Sequence, residues 1–162
     1  MSNWTTAYNW MLDNEDAGRE YKVVPDAPPG AFAISGINSA AFPDEFDAIA
    51  KLMISERGPA IEAFYRSHFW GRSYDALASD ELAKRIFDAA VNMGSGTAIK
   101  ILQSAIGVEA DGVLGPATVA AANAGDHVAD FIAARIRHYR DIVTKNPANV
   151  QYLNQWLARA SK

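Results

Sequence analysis

The sequence predicts a mainly α-helical protein with seven or eight helices and one small β-hairpin near its N-terminus. Three observations carry this expectation. Apolar residues recur at helical spacing along most of the 162 residues, and the loops between those periodic segments are short. The most strongly non-helical stretch is Pro25-Asp26-Ala27-Pro28-Pro29-Gly30. At 49% hydrophobic and 21% charged, the composition is that of an ordinary globular chain, long enough for one domain with a sizeable core.

Each element follows from a local signal. Trp4, Ala7, Tyr8, Met11 and Leu12 share one face of a helix over residues 4–14. Glu20–Val24 and Ala31–Ile37 read as short strands flanking the Pro/Gly turn. Residues 44–57 are helical, with Phe46, Ile49, Ala50, Met53 and Ile54 on one face. Gly58-Pro59 interrupts that helix, and Pro59 suits the first turn of the next, which runs to Trp70. Ser79 is a natural N-cap for Asp80–Asn92, with acidic residues in the first turn. Gly94 and Gly96 precede a helix over Thr97–Ile106. Pro116–Asn123 is a short alanine-rich helix, Asp126 can cap a long helix to Thr144, and Asn146-Pro147 starts the last, ending near Ala160. With no linker composition before Leu102, residues 1–162 are expected to form a single domain with an N-terminal part (1–95) and a C-terminal part (96–162).

Composition also excludes functions. The chain has no cysteine, so disulfides, thiol catalysis and Cys-ligated metal sites are ruled out. His68, His127 and His138 lack metal-ligand spacing. The N-terminal MSNWTTAYNWMLDNED has neither the basic nor the apolar region of a signal peptide, and no run of about 18 apolar residues suggests a membrane span. A net charge of −4 argues against a dedicated nucleic-acid binder. The charge is uneven: residues 1–50 hold eight acidic residues against Arg19 and Lys22, whereas residues 131–162 hold six basic residues against Asp141 alone. That polarity could orient the protein on an anionic polymer.

Two segments carry chemistry. In Met11–Asn38 an amphipathic helix ends in Asp13, Glu15, Asp16 and, just beyond, Glu20. A glutamate where a helix runs out into a turn region can be partly buried yet face a cleft, which suits a general acid for cleaving an acetal. In Leu102–Ala124, Asp111-Gly112 forms a tight-turn pair, Gly115-Pro116 opens a helix, and Thr118 can satisfy its first-turn amides. The pattern LQ…G…DGVLGP.T resembles the helical peptidoglycan-binding module.

With Phe64–Gln103 added, the chain resembles glycoside hydrolase family 108, the lysozyme-like muramidases of bacteria and phages, along nearly its whole length. Leu12-Asp13-Asn14-Glu15 matches the family's L-x-x-E, Phe64-Tyr65 and Trp70 its aromatic block, and Phe87–Gly94 its F-D-x-A-V-N-x-G. Leu102–Thr118 and the Gln155–Arg159 stretch match its later blocks. The E-G-G-Y segment is three residues longer here, Glu15 to Tyr21, and the D-P-G-G loop becomes Asp26–Gly30. The resemblance implies an α+β lysozyme-like fold and cleavage of the β-1,4 bond between N-acetylmuramic acid and N-acetylglucosamine. It assigns the proton donor to Glu15, with Glu20 a rival that the insertion leaves beside Tyr21. Glu20 and Asp26 are the candidates for a second carboxylate. Tyr65, Trp70 and Asn92 are candidates for sugar binding, although Tyr65 and Trp70 also suit a core stripe and Asn92 a helix end. Asp88 is expected to support the fold.

A wall-binding protein without catalysis, and a lytic transglycosylase that leaves 1,6-anhydro ends, are the alternative readings. No cofactor or metal is called for. The expected partner is bacterial peptidoglycan, met by a monomer without nucleic acid or stable membrane insertion. The expected setting is the host cytoplasm until a holin or secretion route releases the protein to the periplasm.

Overall fold

The computed structural model describes residues 3–162, and its first helix, α1 (Trp4–Glu15), is the one the apolar spacing predicts. The chain divides into two compact units, one formed by Tyr8–Trp70 and the other by Gly71–Lys162 with residues 3–7. Architecture throughout is mainly helical, with one small antiparallel sheet.

In the unit Tyr8–Trp70, α1 runs out into a loop and then into the strands β1 (Val23–Asp26), β2 (Ala31–Ile34) and β3 (Ile37–Asn38), ordered β1-β2-β3. Val23 pairs with Ile34 and Asp26 with Ala31, so the expected Pro/Gly turn does close the hairpin. The third strand was not expected. Ser35 and Gly36, with φ of +47° and +85°, form the two-residue link from β2 to β3; positive φ at both central residues is what a type I′ turn requires. The first strand begins at Val23 rather than Glu20 because Tyr21, at φ +51°, cannot continue a pleated ladder.

Helices α2 (Pro43–Ala50) and α3 (Ile54–Phe69) follow. The break between them falls at residues 51–53, not at Gly58-Pro59 as expected. Two local contacts start α3 early: the Glu56 carboxylate accepts the Met53 N–H (3.2 Å), and the Met53 carbonyl accepts the Glu56 N–H (2.8 Å). Gly58 is retained inside the helix because the Tyr21 ring lies against it; a Cβ there would sit 3.3 Å from that ring. The sheet buries Ala31, Ala33, Ile34 and Ile37, α1 buries Met11 and Leu12, and α3 buries Ile61, Phe64 and Tyr65. Phe64 meets Phe42 edge-on at 4.9 Å.

In the other unit, a single-turn helix α4 (Arg72–Asp75) precedes α5 (Asp80–Met93), α6 (Ser95–Ala105), α7 (Pro116–Ala122), α8 (Val128–Lys145) and α9 (Val150–Ala160). Ser79 caps α5 as expected, accepting the Leu82 N–H at 3.1 Å. Asp126 accepts the Val128 N–H at the start of α8, and Asn146-Pro147 opens a short 3-10 turn that leads into α9. Helix α6 packs on α5 and α8, and α8 on α9. Asp88 is fully buried between two guanidinium groups, Arg135 at 2.8 Å and Arg159 at 2.7 Å, which joins α5, α8 and α9.

Candidate functional site

Glu15 is the last residue of α1, where the helix ends half-buried. It lines a small pocket of about 100 Å³ together with Asp16, Glu20, Lys22, Val24, Ser35 and Gly36. The β2–β3 turn forms one wall. Gly36 comes so close to Glu15 that a Cβ at this position would lie 2.7 Å from Glu15 Oε2 and 2.8 Å from the Tyr65 hydroxyl. Only glycine meets both demands here, the positive φ and the close approach.

Asp16 organises the loop around this pocket. Its Oδ2 accepts the Ser35 hydroxyl (2.7 Å) and the Tyr21 N–H (2.9 Å), and its Oδ1 accepts the Glu20 N–H (3.1 Å). Burial alone would push the Asp16 carboxyl pKa up, but these three hydrogen bonds and the charge of Arg19 outweigh it and hold the pKa below the usual aspartate value. Asp16 is therefore a fixed anion at neutral pH. The positive-φ residues Arg19 (+48°), Tyr21 (+51°) and Ser35 (+47°) all adjoin it in this network. Non-glycine residues in that region are strained, and strain of this kind collects where surrounding contacts fix a functional shape. Further support comes from Arg57, which is buried and donates to the carbonyls of Tyr21 (2.7 Å), Ala50 (2.8 Å) and Leu52 (3.2 Å). Arg19 pairs with Asp13 on the outer side of the loop.

The other candidates fall in distinct settings. Glu20 lines the pocket but is exposed and pairs with Lys22 at 3.0 Å. Asp26 lies at the hairpin end and does not line the pocket; its Oδ2 accepts the Asn38 amide (2.8 Å) and its Oδ1 the Ala27 N–H (2.8 Å). Tyr65 is buried, and its hydroxyl donates to the Ser35 carbonyl at 2.7 Å, so it holds the wall of the pocket from behind. Trp70 is buried. Asn92 belongs to the other unit, where its Oδ1 accepts the Tyr139 hydroxyl at 2.6 Å.

The glycine-turn segment Leu102–Ala124 is organised by one buried side chain. Gln103 donates to Asp111 Oδ1 (2.6 Å), the Val113 carbonyl (3.1 Å) and Thr118 Oγ1 (3.1 Å), and accepts the Gly112 N–H (2.8 Å). Both ends of the amide are engaged, the two Nε2 hydrogens shared among three acceptors and the carbonyl accepting one N–H, so Gln103, Asp111-Gly112 and Thr118 are tied into one turn. Among the described residues, no group of three or more His, Asp or Glu could hold a metal ion.

Asp16, Ser35 and Arg57 are the residues of this site that sequence reasoning did not single out. Asp16 stood in the acidic cluster, but its partners are 4 to 19 residues away in sequence, and Arg57 reaches 36 residues back to Tyr21. A local signal did exist for Gly36, the glycine that follows β2.

Comparison with known proteins adds two findings. Residues 97–161 match a family model described as a predicted peptidoglycan domain. Among solved structures, the chain is similar to SagA of Brucella abortus, with a TM-score of 0.65 and 22% identity over 97% of this chain and 92% of that one. At that identity the likeness establishes a shared fold. No curated protein matches the chain.

Proposed function

We propose that this protein is a peptidoglycan hydrolase that cleaves the β-1,4 bond between N-acetylmuramic acid and N-acetylglucosamine, with Glu15 as the proton donor. The observation that carries the reading is the built pocket around the half-buried Glu15, closed on one side by Gly36, whose positive φ and close approach to Glu15 favour glycine. The match of residues 97–161 to the predicted peptidoglycan domain supports the polymer, and the resemblance to glycoside hydrolase family 108 supports the bond and the donor.

The chemistry needs few parts. Glu15 gives its proton to the glycosidic oxygen as the bond from that oxygen to C1 of the muramic acid breaks. The bonding electron pair leaves with the oxygen, which becomes the free hydroxyl of N-acetylglucosamine. Water then attacks the electron-poor C1 and loses a proton, restoring an acid and leaving a reducing end. Both Asp16 oxygens are taken by the loop, so Asp16 positions the site and contributes a fixed negative charge rather than a nucleophile. Glu20 is the pocket carboxylate left to receive water, through a solvated side chain. Val24, exposed on the sheet and lining the pocket, offers apolar surface for a sugar face.

Incubating the protein with purified sacculi tests the reading, with the released fragments analysed by mass spectrometry. Reducing muropeptides from wild type and none from Glu15→Gln are expected. Anhydro ends in place of reducing ends would reassign the enzyme as a lytic transglycosylase, in which the muramic acid's own C6 hydroxyl takes the place of water. Sedimentation with sacculi and no release would leave a wall-binding protein. For a wall enzyme made inside the cell, release through a holin or a secretion route is the corresponding proposal for its path to the periplasm.

A further inference from the structure

Helices α6 and α8 border an open groove of about 340 Å³, well separated in sequence from the Glu15 pocket. Its size lies within the range of small-molecule pockets. One wall is the α6 stripe Thr97, Lys100, Ile101 and Ser104; the other is the α8 stripe Ala134, Arg137, His138 and Asp141. Each stripe follows the i, i+3, i+4, i+7 spacing of one helix face, so the two rows are fixed by rigid elements rather than by loops. Ile101 and Ala134 are buried and give an apolar floor. Lys100 stands on one wall and Arg137 on the other, and among the described residues neither makes a side-chain hydrogen bond or ion pair. Burial lowers the His138 pKa, against the pull of Asp141, so the imidazole is a neutral hydrogen-bonding group at pH 7. Asp141 is the single acidic residue in the lining.

Two cations that face each other across an apolar floor suit a carboxylate, and one acid beside them suits an ammonium group on the same ligand. We infer that the α6–α8 groove is a second binding site, for a short peptide bearing both carboxylate and ammonium groups, and that it recognises the peptide portion of the wall polymer. This step rests on the peptidoglycan reading for its ligand, and it gives two basic side chains of the C-terminal part, Lys100 and Arg137, a role as the carboxylate clamp. Sugar chemistry would then belong to the Glu15 unit and peptide chemistry to this one.

Titration of the full chain with the free tripeptide L-Ala-γ-D-Glu-meso-diaminopimelate, followed by NMR, tests the inference. Shifts centred on Lys100, Ser104, Arg137 and His138 are expected, with affinity falling at least tenfold in Lys100→Glu/Arg137→Glu. The same peptide ending in L-lysine lacks one carboxylate and is expected to bind more weakly. Both substituted side chains are exposed, and an unchanged far-UV circular dichroism spectrum confirms that the variant folds. Glu15→Gln should bind the tripeptide like wild type. No shifts at 10 mM tripeptide, or equal binding by the double variant, would overturn the proposal. Sacculus digestion by wild type, measured alongside, reports separately on the peptidoglycan reading: digestion without tripeptide binding rejects the groove alone.

Discussion

At the scale of single residues, the site depends on close contacts that leave no room for a side chain at Gly36. Glu15→Gln keeps the size and shape of the side chain but removes the proton, and general acid catalysis contributes roughly 10²- to 10⁴-fold. The variant should lose that much of its rate of sacculus digestion while its melting temperature stays near wild type; activity within a few-fold of wild type would remove Glu15 from the role. Gly36→Ala is the complementary test. The new methyl group would meet Glu15 and Tyr65 in a left-handed backbone conformation that costs an L-residue about 1–2 kcal/mol. Lower stability by about that amount, together with a slower digest, is the expected outcome in denaturant titration and turnover assays.

At the scale of elements, the loop from Asp16 to Lys22 is held by a carboxylate that must remain charged. The Asp16 pKa is lowered in the folded protein. A group with a depressed native pKa stabilises the fold above its unfolded value, near 4, and that contribution disappears as pH falls through the native value. Asp16→Asn should therefore lower the urea midpoint at pH 7, and the gap from wild type should narrow as the pH approaches 3. A gap independent of pH would mean that the charge plays no part. Gln103 makes the parallel case in the Leu102–Ala124 segment. Gln103→Leu leaves the Gly112 N–H and Asp111 without their buried partner, which should cost about 1–3 kcal/mol in chemical denaturation. This segment was legible from sequence because its residues are close neighbours at fixed offsets. The break between α2 and α3 was not: Gly58-Pro59 is a strong breaker by local rules, yet the Tyr21 ring against Gly58 and the Glu56–Met53 contacts determine where the helix starts.

At the scale of the whole molecule, the helical class and the expected helices were readable from periodicity and caps, since each depends on residues within one or two turns. What periodicity could not supply were the long-range polar bonds. Ser35 to Asp16, Arg57 to Tyr21 and Tyr65 to Ser35 join segments far apart in sequence and shape the pocket around a glutamate that sequence did single out. Asp88 was expected to support the fold, and its environment shows how. It is fully buried with Arg135 and Arg159, so Asp88→Asn would strand two cations and should destabilise the unit Gly71–Lys162 by about 3–5 kcal/mol, measurable by thermal melting. The two units present different chemistry, a glutamate pocket in one and a cationic groove in the other. The glutamate pocket is the part proposed to break the glycan chain. Mass spectrometry of fragments released from purified sacculi by wild type and by Glu15→Gln tests that role most directly. Muropeptides with new reducing ends are expected from wild type and none above background from the variant; intact sacculi with wild type, or equal release by both proteins, would overturn the role given to Glu15.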